Sequence, residues 1–238
     1  MDSTADVTST LGGVSLQIND VSGATQLLNI TGSLKHDTKA MTVADGTYTL
    51  TGILSGNVLT DGSSVLTITD ELGSSYEYIT VYEQHYSSGG TDYTVIGIGG
   101  IVTDTGDVPN SGIATYTGEA KGKILLGSTD DLNNGTSTVV MNFNSALANV
   151  TLAGFDGDHV LDTINVVGMS ISGNSFSGGT ITTEKNNAVV NLTGAGTTSV
   201  AQGRFFGYDD INSIPDEVGG IILINGDSGT IFAGFAAD

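Results

Sequence analysis

Residues 203–238 read GRFFGYDDINSIPDEVGGIILINGDSGTIFAGFAAD, and this stretch decides the fold. It contains a strand, a loop with Pro215, and a hairpin that runs to the last few residues. The large apolar side chains that need a core are Phe205, Phe206, Ile221, Ile222, Leu223, Ile224, Ile231, Phe232 and Phe235. A terminal strand this apolar would be an aggregation-prone edge unless the sheet closes on itself. The stretch therefore predicts a β-barrel whose final strand completes the ring.

The composition of the whole chain is that of an all-β protein. The 238 residues include 35 Gly and only 2 Pro, with abundant Ser, Thr, Asn and Asp. Nearly every window of helical length contains Gly or a β-branched run, which lowers helix propensity. Many short strands joined by tight turns are expected.

The charge balance excludes two classes of partner. Six basic residues stand against 26 acidic ones, giving a net charge of -20. Such a field repels nucleic acid and anionic membrane surfaces, whereas it attracts cations or a basic partner. A solvated surface, as in secreted or salt-adapted bacterial proteins, is the simpler interpretation.

The absence of cysteine excludes disulfides, thiolate metal sites and cysteine nucleophiles. No stretch approaches the roughly 20 apolar residues of a transmembrane helix. The opening MDSTADVTST lacks the features of a signal peptide, which suits a protein whose leader has been removed. These features are compatible with an extracellular bacterial protein.

The first half contains alternating segments separated by turn-forming clusters. Tyr76, Tyr78 and Tyr82 fall on one face of a predicted strand and Ile79 and Val81 on the other. The predicted strands of this half span residues 14–18, 26–31, 47–54, 64–69, 76–82 and 93–98.

A boundary is predicted in residues 102–111, VTDTGDVPNS, where large apolar side chains are nearly absent. Eight strands are predicted after it, which is the number of a small closed barrel. They span residues 113–126, 137–144, 147–153, 163–172, 175–183, 199–208, 218–224 and 229–236. We therefore predict an N-terminal antiparallel β domain over residues 1–107. An eight-stranded antiparallel β-barrel follows over residues 108–238.

Two of the predicted barrel strands alternate with period two. One face contains Val139, Met141 and Phe143 and the other Val140, Asn142 and Asn144; in the fourth strand, one face contains Val167, Met169 and Ile171 and the other Gly168, Ser170 and Ser172. Gly173-Asn174 is predicted to form a tight hairpin turn between the fourth and fifth barrel strands.

Three motifs in the second half resemble the transferrin-binding protein B-like β-barrel family of Gram-negative surface lipoproteins and soluble binders. They are VPNSGIATYTGEAKGKI from Val108, ISGNSFSGGTI from Ile171, and the closing stretch from Gly203. Tyr208 and the segment 209–215 depart from the family pattern. Glu217 is similar to an acidic residue of that family, and we expect it to accept backbone N–H bonds.

The resemblance implies that the N-terminal domain, residues 1–107, is a handle docked on the barrel, and that the protein binds a ligand without catalysis. It also implies an extracellular or outer-membrane surface location, either lipid-anchored or released. Relatives bind transferrin or complement regulators, or capture haem as small secreted, haemophilin-like proteins. The resemblance thus implies capture of haem, or of an iron-carrier protein, and delivery to an outer-membrane receptor. The alternative is an acidic extracellular interaction or adhesion module without a small-molecule ligand.

Haem capture would need an axial ligand, usually His, and an apolar cleft. His85 lies among tyrosines, including Tyr86, beside a Gly-rich loop, and an exposed loop histidine is the alternative. His36 has lysines near it that could pair with propionates, and Met41 is a possible second ligand. These four residues are the candidate cofactor-binding set.

Other chemistry is poorly supported by the sequence. Asp156, Asp158 and Asp162 leave the pattern of a calcium loop incomplete. The acidic and amide residues of 130–134 are expected to form a turn. The chain contains no G-x-S-x-G elbow, and the absence of Trp weakens any sugar-stacking site. We predict that the protein is not an enzyme.

Overall fold

A computed structural model describes residues 8–19, 25–35, 38–44, 46, 48–69, 76–125, 129–155, 161–186, 188–189, 199–207, 214–226 and 229–238. These residues form eighteen β-strands and a 3₁₀ turn at Thr105–Asp107, so the predicted all-β class is confirmed. Among them, no helix is long and apolar enough to cross a membrane.

The chain divides into two compact units. The first comprises Met1–Asp70 and Thr80–Val102, and the second comprises Glu71–Ile79 and Thr103–Asp238. The two sheets fall on either side of the predicted boundary at residue 107, and the compact units divide slightly earlier, at Val102 and Thr103. A short piece of the N-terminal half, residues 71–79, is assigned to the second unit.

The first unit is an antiparallel, barrel-like sheet of eight strands in the order β4-β3-β2-β1-β8-β7-β6-β5. Its edge strands β4 and β5 approach each other, since the N–H of Thr51 donates to Oδ2 of Asp61 at 3.1 Å. The strands are β1 Thr8–Asn19, β2 Thr25–Lys35, β3 Ala40–Ala44, β4 Thr49–Ile53, β5 Val58–Asp61, β6 Ser64–Thr69, β7 Ile79–Ser88 and β8 Thr91–Ile101.

The core of the first unit lies on the inner face of this sheet. Its buried members are Ile30, Val43, Leu50, Leu59, Leu66, Tyr86 and Val95. Leu50, Leu59 and Tyr86 each lie between exposed neighbours in the sequence, as expected for half-buried strands. The sequence prediction missed β3 and β5, which have only five and four residues.

The second unit is the predicted eight-stranded barrel, and its closure is confirmed. Its strands are β9 Ile113–Leu125, β10 Thr129–Asn142, β11 Leu147–Ala153, β12 Thr163–Ser172, β13 Ser175–Ser177, β14 Thr180–Lys185, β15 Ala188–Val189, β16 Ser199–Phe206, β17 Glu217–Gly226 and β18 Gly229–Ala237. The last strand, β18, pairs with β9 from Ala237↔Gly118 to Thr230↔Leu125, while β11 pairs with β12. Because β13 and β14 share one side of β12, the ring has eight positions.

Aromatic and aliphatic side chains fill the barrel. Phe205 lies 5.4 Å from Phe176 in an edge-on arrangement and 6.0 Å from Phe143, measured between ring centroids. The predicted inward alternation of Val139, Met141 and Phe143 is confirmed, since all three are buried. The predicted hairpin at 173–174 is also confirmed, because Ser172 pairs with Ser175 across it.

The predicted alternation along β12 is wrong at Val167, whereas Met169 and Ile171 face the core as predicted. Gly168 adopts a φ of 77°, and the pairing of β11 with β12 shifts register between Ala148 and Val150. Such a bulge inserts an extra residue and reverses which face the following side chains occupy. Val167, predicted to share a face with Met169, is therefore 57% exposed, whereas Met169 is buried.

Three further local predictions are wrong. The predicted strand over 175–183 is broken at Gly178 and Gly179, whose φ values of 82° and 85° lie outside strand geometry. Residues 130–134 belong to β10 rather than to a turn, although the pairing with β9 shifts register between Leu132 and Gly135. The strand predicted over 76–82 begins only at Ile79.

Candidate functional site

The structure places His85 and Tyr86 on opposite faces of β7. The His85 side chain is exposed, and its Nδ1 lies 3.2 Å from Oγ1 of Thr94. Tyr86 is only 3% exposed and belongs to the core of the first unit. Neighbouring residues of a strand point to opposite faces, so these two side chains cannot line the same surface.

Tyr86 is the centre of a stack of three tyrosines. Its ring lies 4.7 Å from that of Tyr48 and 5.2 Å from that of Tyr93, with interplanar angles of 13° and 19°. The Tyr86 hydroxyl accepts a hydrogen bond from Nε2 of Gln17, and the Tyr48 hydroxyl lies 2.7 Å from Oγ of Ser64. Buried tyrosines normally have a partner for the hydroxyl, and here the partners come from β1 and β6.

Met41 packs against the cluster that contains Tyr86. The structure therefore brings Met41 and Tyr86 to one core and leaves His85 on the outer face, so these three residues do not converge on one haem. His36 lies outside the described residues, as do Asp156, Asp158 and His159. Asp162 accepts a 2.6 Å hydrogen bond from the N–H of Asn186. Within the described ranges, no group of three or more metal-ligating side chains occurs.

A cleft of about 340 Å³ opens in the second unit at the start of β9, and we call it the β9 cleft. Its apolar walls include Phe143 and Pro215, and the exposed side chain of Ile113 lies at the cleft. The complete lining is Ser111, Gly112, Ile113, Ala114, Thr115, Tyr116, Phe143, Ile214, Pro215, Asp216 and Asp238. The chain brings these residues together because β9 pairs with β10 on one side and with β18, the last strand, on the other.

Two carboxylates give the β9 cleft its charge. Asp216 and Asp238 belong to its lining, which contains no Lys, Arg or His. Tyr116 donates a 3.0 Å hydrogen bond from its hydroxyl to the carbonyl oxygen of Pro215. Burial, with a smaller contribution from the charge of Asp216, raises the pKa of Tyr116 well above its ordinary value. Tyr116 is thus a neutral, fixed wall of an acidic cleft.

The closing seam of the barrel holds a second polar arrangement. The hydroxyl of Tyr76 accepts a hydrogen bond from the N–H of Glu119 on β9 and donates one to the carbonyl of Ala236 on β18, at 3.1 and 3.0 Å. Burial, partly offset by the bond from Glu119, raises the pKa of Tyr76 to about 12. The side chain therefore remains a neutral bridge between the two strands that close the ring.

Glu217 fixes the backbone next to this tyrosine. Its Oε1 accepts a 2.5 Å hydrogen bond from the N–H of Glu77, and its Oε2 accepts one of 3.0 Å from the N–H of Tyr78. The side chain is 4% exposed, and burial raises its pKa although the backbone hydrogen bonds oppose that shift. The expected role of Glu217 as an acceptor of backbone N–H bonds agrees with this geometry.

Sequence reasoning missed the β9 cleft. Its acidic members, Asp216 and Asp238, are separated by a whole hairpin, and no local pattern links them to Ile113 or Phe143. Only the predicted closure of the ring pointed indirectly to this cleft, because the pairing of β18 with β9 brings Asp238 close to the first barrel strand.

A barrel-like sheet followed by a closed barrel is the handle-and-barrel architecture that the sequence predicts. Solved structures of transferrin-binding protein B (TbpB) share this fold. Intact Ap-TbpB, with N and C lobes, is 18% identical with a TM-score of 0.57, over 95% of this chain and 46% of that chain. Isotype 1 TbpB from serogroup B Neisseria meningitidis is 18% identical with a TM-score of 0.58, over 95% of this chain and 43% of that one. A double mutant of TbpB from Haemophilus parasuis Hp5 is 17% identical with a TM-score of 0.59, over 96% of this chain and 44% of that one.

These similarities establish the TbpB-like fold of the chain. The chain spans a little under half the length of the TbpB structures that it matches. No family model matches the sequence, and no curated protein matches it.

Proposed function

We propose that this chain is a surface-exposed bacterial binding protein that captures an iron-carrying molecule for uptake. The observation that carries the proposal is the TbpB-like fold over 95% of the chain, because the proteins with that fold are named for binding transferrin. The chain covers 46% of the intact Ap-TbpB structure, which has N and C lobes, so its length is about that of one lobe. Delivery to an outer-membrane receptor is part of the proposal.

An iron-carrier protein is the ligand class that the described geometry supports better than haem. A haem pocket needs an axial ligand beside an apolar cleft. His85 lies on the exposed outer face of β7, beside Thr94 and the partly exposed Val65, rather than in a cleft, and Tyr86 and Met41 belong to a core. Loops and surfaces held by a rigid barrel suit a protein ligand.

Surface plasmon resonance with immobilised iron-loaded and iron-free transferrins tests the carrier-protein proposal. We expect saturable binding with a dissociation constant of about 1 µM or tighter for a transferrin from a suitable host. Retention of binding after heat denaturation of the captured chain would show that the signal is nonspecific. Absence of binding to every transferrin at about 10 µM would contradict the proposal.

Haem capture is tested separately by titration with haemin and by the Soret band. If haem is the ligand, His85→Ala should remove the shift, whereas His159→Ala, a control histidine outside the candidate set, should keep it. The absence of a Soret shift at micromolar haemin would contradict haem capture and would leave the proposal of a carrier-protein ligand unaffected.

The second candidate function is an acidic extracellular interaction module without a small-molecule ligand. The net charge of -20 favours it, because a strong field of one sign steers a basic partner. In that case association should slow markedly as ionic strength rises. A rate that is independent of salt would contradict this function.

A further inference from the structure

We propose that the β9 cleft binds a lysine or arginine side chain of a partner protein, an inference that rests on the proposed function in taking that ligand to be a protein. The cleft combines a negative charge with apolar walls in one small cavity of the second unit. The negative charge suits the cationic head of such a side chain, and the apolar walls suit its aliphatic stem.

The size of the cleft favours one long side chain. Its volume of about 340 Å³ lies at the lower end of the range of ligand pockets. Long cationic side chains bury an aliphatic stem along apolar surface while the charged head stays in a polar environment. Phe143 and Pro215 can contact the stem, and both are buried parts of the barrel that need not move.

The charge of the cleft selects a cation. Asp216 and Asp238 line it, and none of its lining residues is basic. The hydroxyl of Tyr116 is already used by the carbonyl of Pro215, so this residue contributes a ring and no competing charge. Anions are disfavoured here because two carboxylates repel them at close range.

The surface beside the cleft favours a protein over a free amine. Ile113 is 66% exposed and Leu147 is 40% exposed, and both pair with Asn142 from its two sides. Residues in register on adjacent strands share a face, so the two apolar side chains lie in one row across the outside of the barrel. This row extends apolar contact beyond the reach of a small ligand in the cleft.

Titration of the ¹⁵N-labelled chain with Nα-acetyl-lysine methylamide, followed by amide chemical shifts, tests the cleft directly. We expect shifts in residues 111–116 and at Asp216, with a dissociation constant of about 1–10 mM, as for a fragment of this size. The matched compound Nα-acetyl-norleucine methylamide has the stem without the charge and should bind at least tenfold more weakly. Equal binding of the two compounds, or shifts elsewhere only, would overturn the proposal.

Charge-removing variants separate the cleft from the general acidity of the protein. Asp216→Asn and Asp238→Asn should each weaken lysine binding about threefold to fivefold, and the double variant about tenfold. Asp104→Asn, which removes an exposed carboxylate outside the cleft lining, should leave binding unchanged. Unchanged binding in the double variant, with its spectrum otherwise native, would overturn the proposal.

A peptide with leucine on each side of the lysine distinguishes a partner protein from a free amine. It should bind at least threefold more tightly than the lysine compound, and Ile113→Ser should abolish that gain. Equal affinity of n-butylamine and the leucine peptide would mean a small-amine site and would overturn the partner assignment. None of these measurements uses transferrin, so failure here and failure of the proposed function give different results.

Discussion

The N–H of Tyr78 donates a 3.0 Å hydrogen bond to Oε2 of Glu217, a residue 139 positions further along the chain. The neighbouring Tyr76 joins Glu119 and Ala236 across the closing seam of the barrel. One short segment of the N-terminal half is thus fixed both by a buried carboxylate and by a bridging hydroxyl. The stability of the barrel should therefore depend on residues 76–78, which precede its first strand, β9, in the sequence.

Replacing Glu217 by Ala should lower the free energy of unfolding by about 3 kcal/mol. The variant leaves the partly buried N–H groups of Glu77 and Tyr78 without their acceptor, and the loss of an acceptor costs about 1–3 kcal/mol per donor. Urea denaturation measures the loss, and amide hydrogen exchange at these two positions should become faster. Glu77→Gln is the matched control, because it keeps the backbone donor and changes an exposed side chain. A loss of stability in Glu77→Gln but not in Glu217→Ala would contradict this role of Glu217.

The pH dependence of stability should show the raised pKa of Glu217. Burial raises this pKa above its ordinary value of 4.5, so protonation favours the folded state. The resulting stabilisation is fully present below the ordinary pKa and is lost as pH rises through the folded-state pKa. The difference in unfolding free energy between the native chain and Glu217→Gln should therefore move against the native chain from pH 4.5 upward. Urea titrations across that range measure this difference. A difference that moves in favour of the native chain as pH rises would show that the pKa of Glu217 is not raised.

Gly118→Ala should strongly destabilise the closing seam. An added Cβ would overlap the carbonyl oxygen of Ala236 and the hydroxyl of Tyr76, and the first of these is backbone that cannot give way. Overpacking of this kind costs about 1–3 kcal/mol or more. Gly106→Ala is the control, since a Cβ there meets nothing within 4 Å. Thermal unfolding compares the two, and equal melting temperatures would show that the seam tolerates the methyl group.

Closure of the barrel could be predicted because it depends on a property visible in the sequence. The apolar residues of the last hairpin alternate or run together, and only a sheet without edges can accept them. The β12 bulge could not be predicted, because Gly168 reads as an ordinary strand glycine until its positive φ is known. Likewise, Tyr76 and Tyr78 fit a strand pattern, but their segment bonds to Glu217 and to the seam, contacts that no local pattern encodes.

The candidate site residues show the same limit. Proximity in the sequence grouped His85 with Tyr86, yet strand geometry separates adjacent side chains by the thickness of the sheet. The actual neighbours of Tyr86 are Gln17 of β1, Tyr93 of β8 and Tyr48, the residue just before β4. Local sequence singled out His85 for its tyrosine neighbours, but only the fold shows that Tyr86, one of those neighbours, belongs to a core.

Tyr86→Phe distinguishes a core tyrosine from a haem ligand. The variant keeps the stacked ring and removes the hydroxyl that accepts from buried Gln17, so the free energy of unfolding should fall by about 1–2 kcal/mol. Tyr86→Leu, which also loses the ring contacts with Tyr48 and Tyr93, should cost at least about 1 kcal/mol more. If the chain binds haemin at all, its Soret shift should be the same in Tyr86→Phe as in the native chain. Loss of that shift at unchanged stability would instead make the Tyr86 hydroxyl a ligand, which its position inside the tyrosine stack does not allow without opening the core.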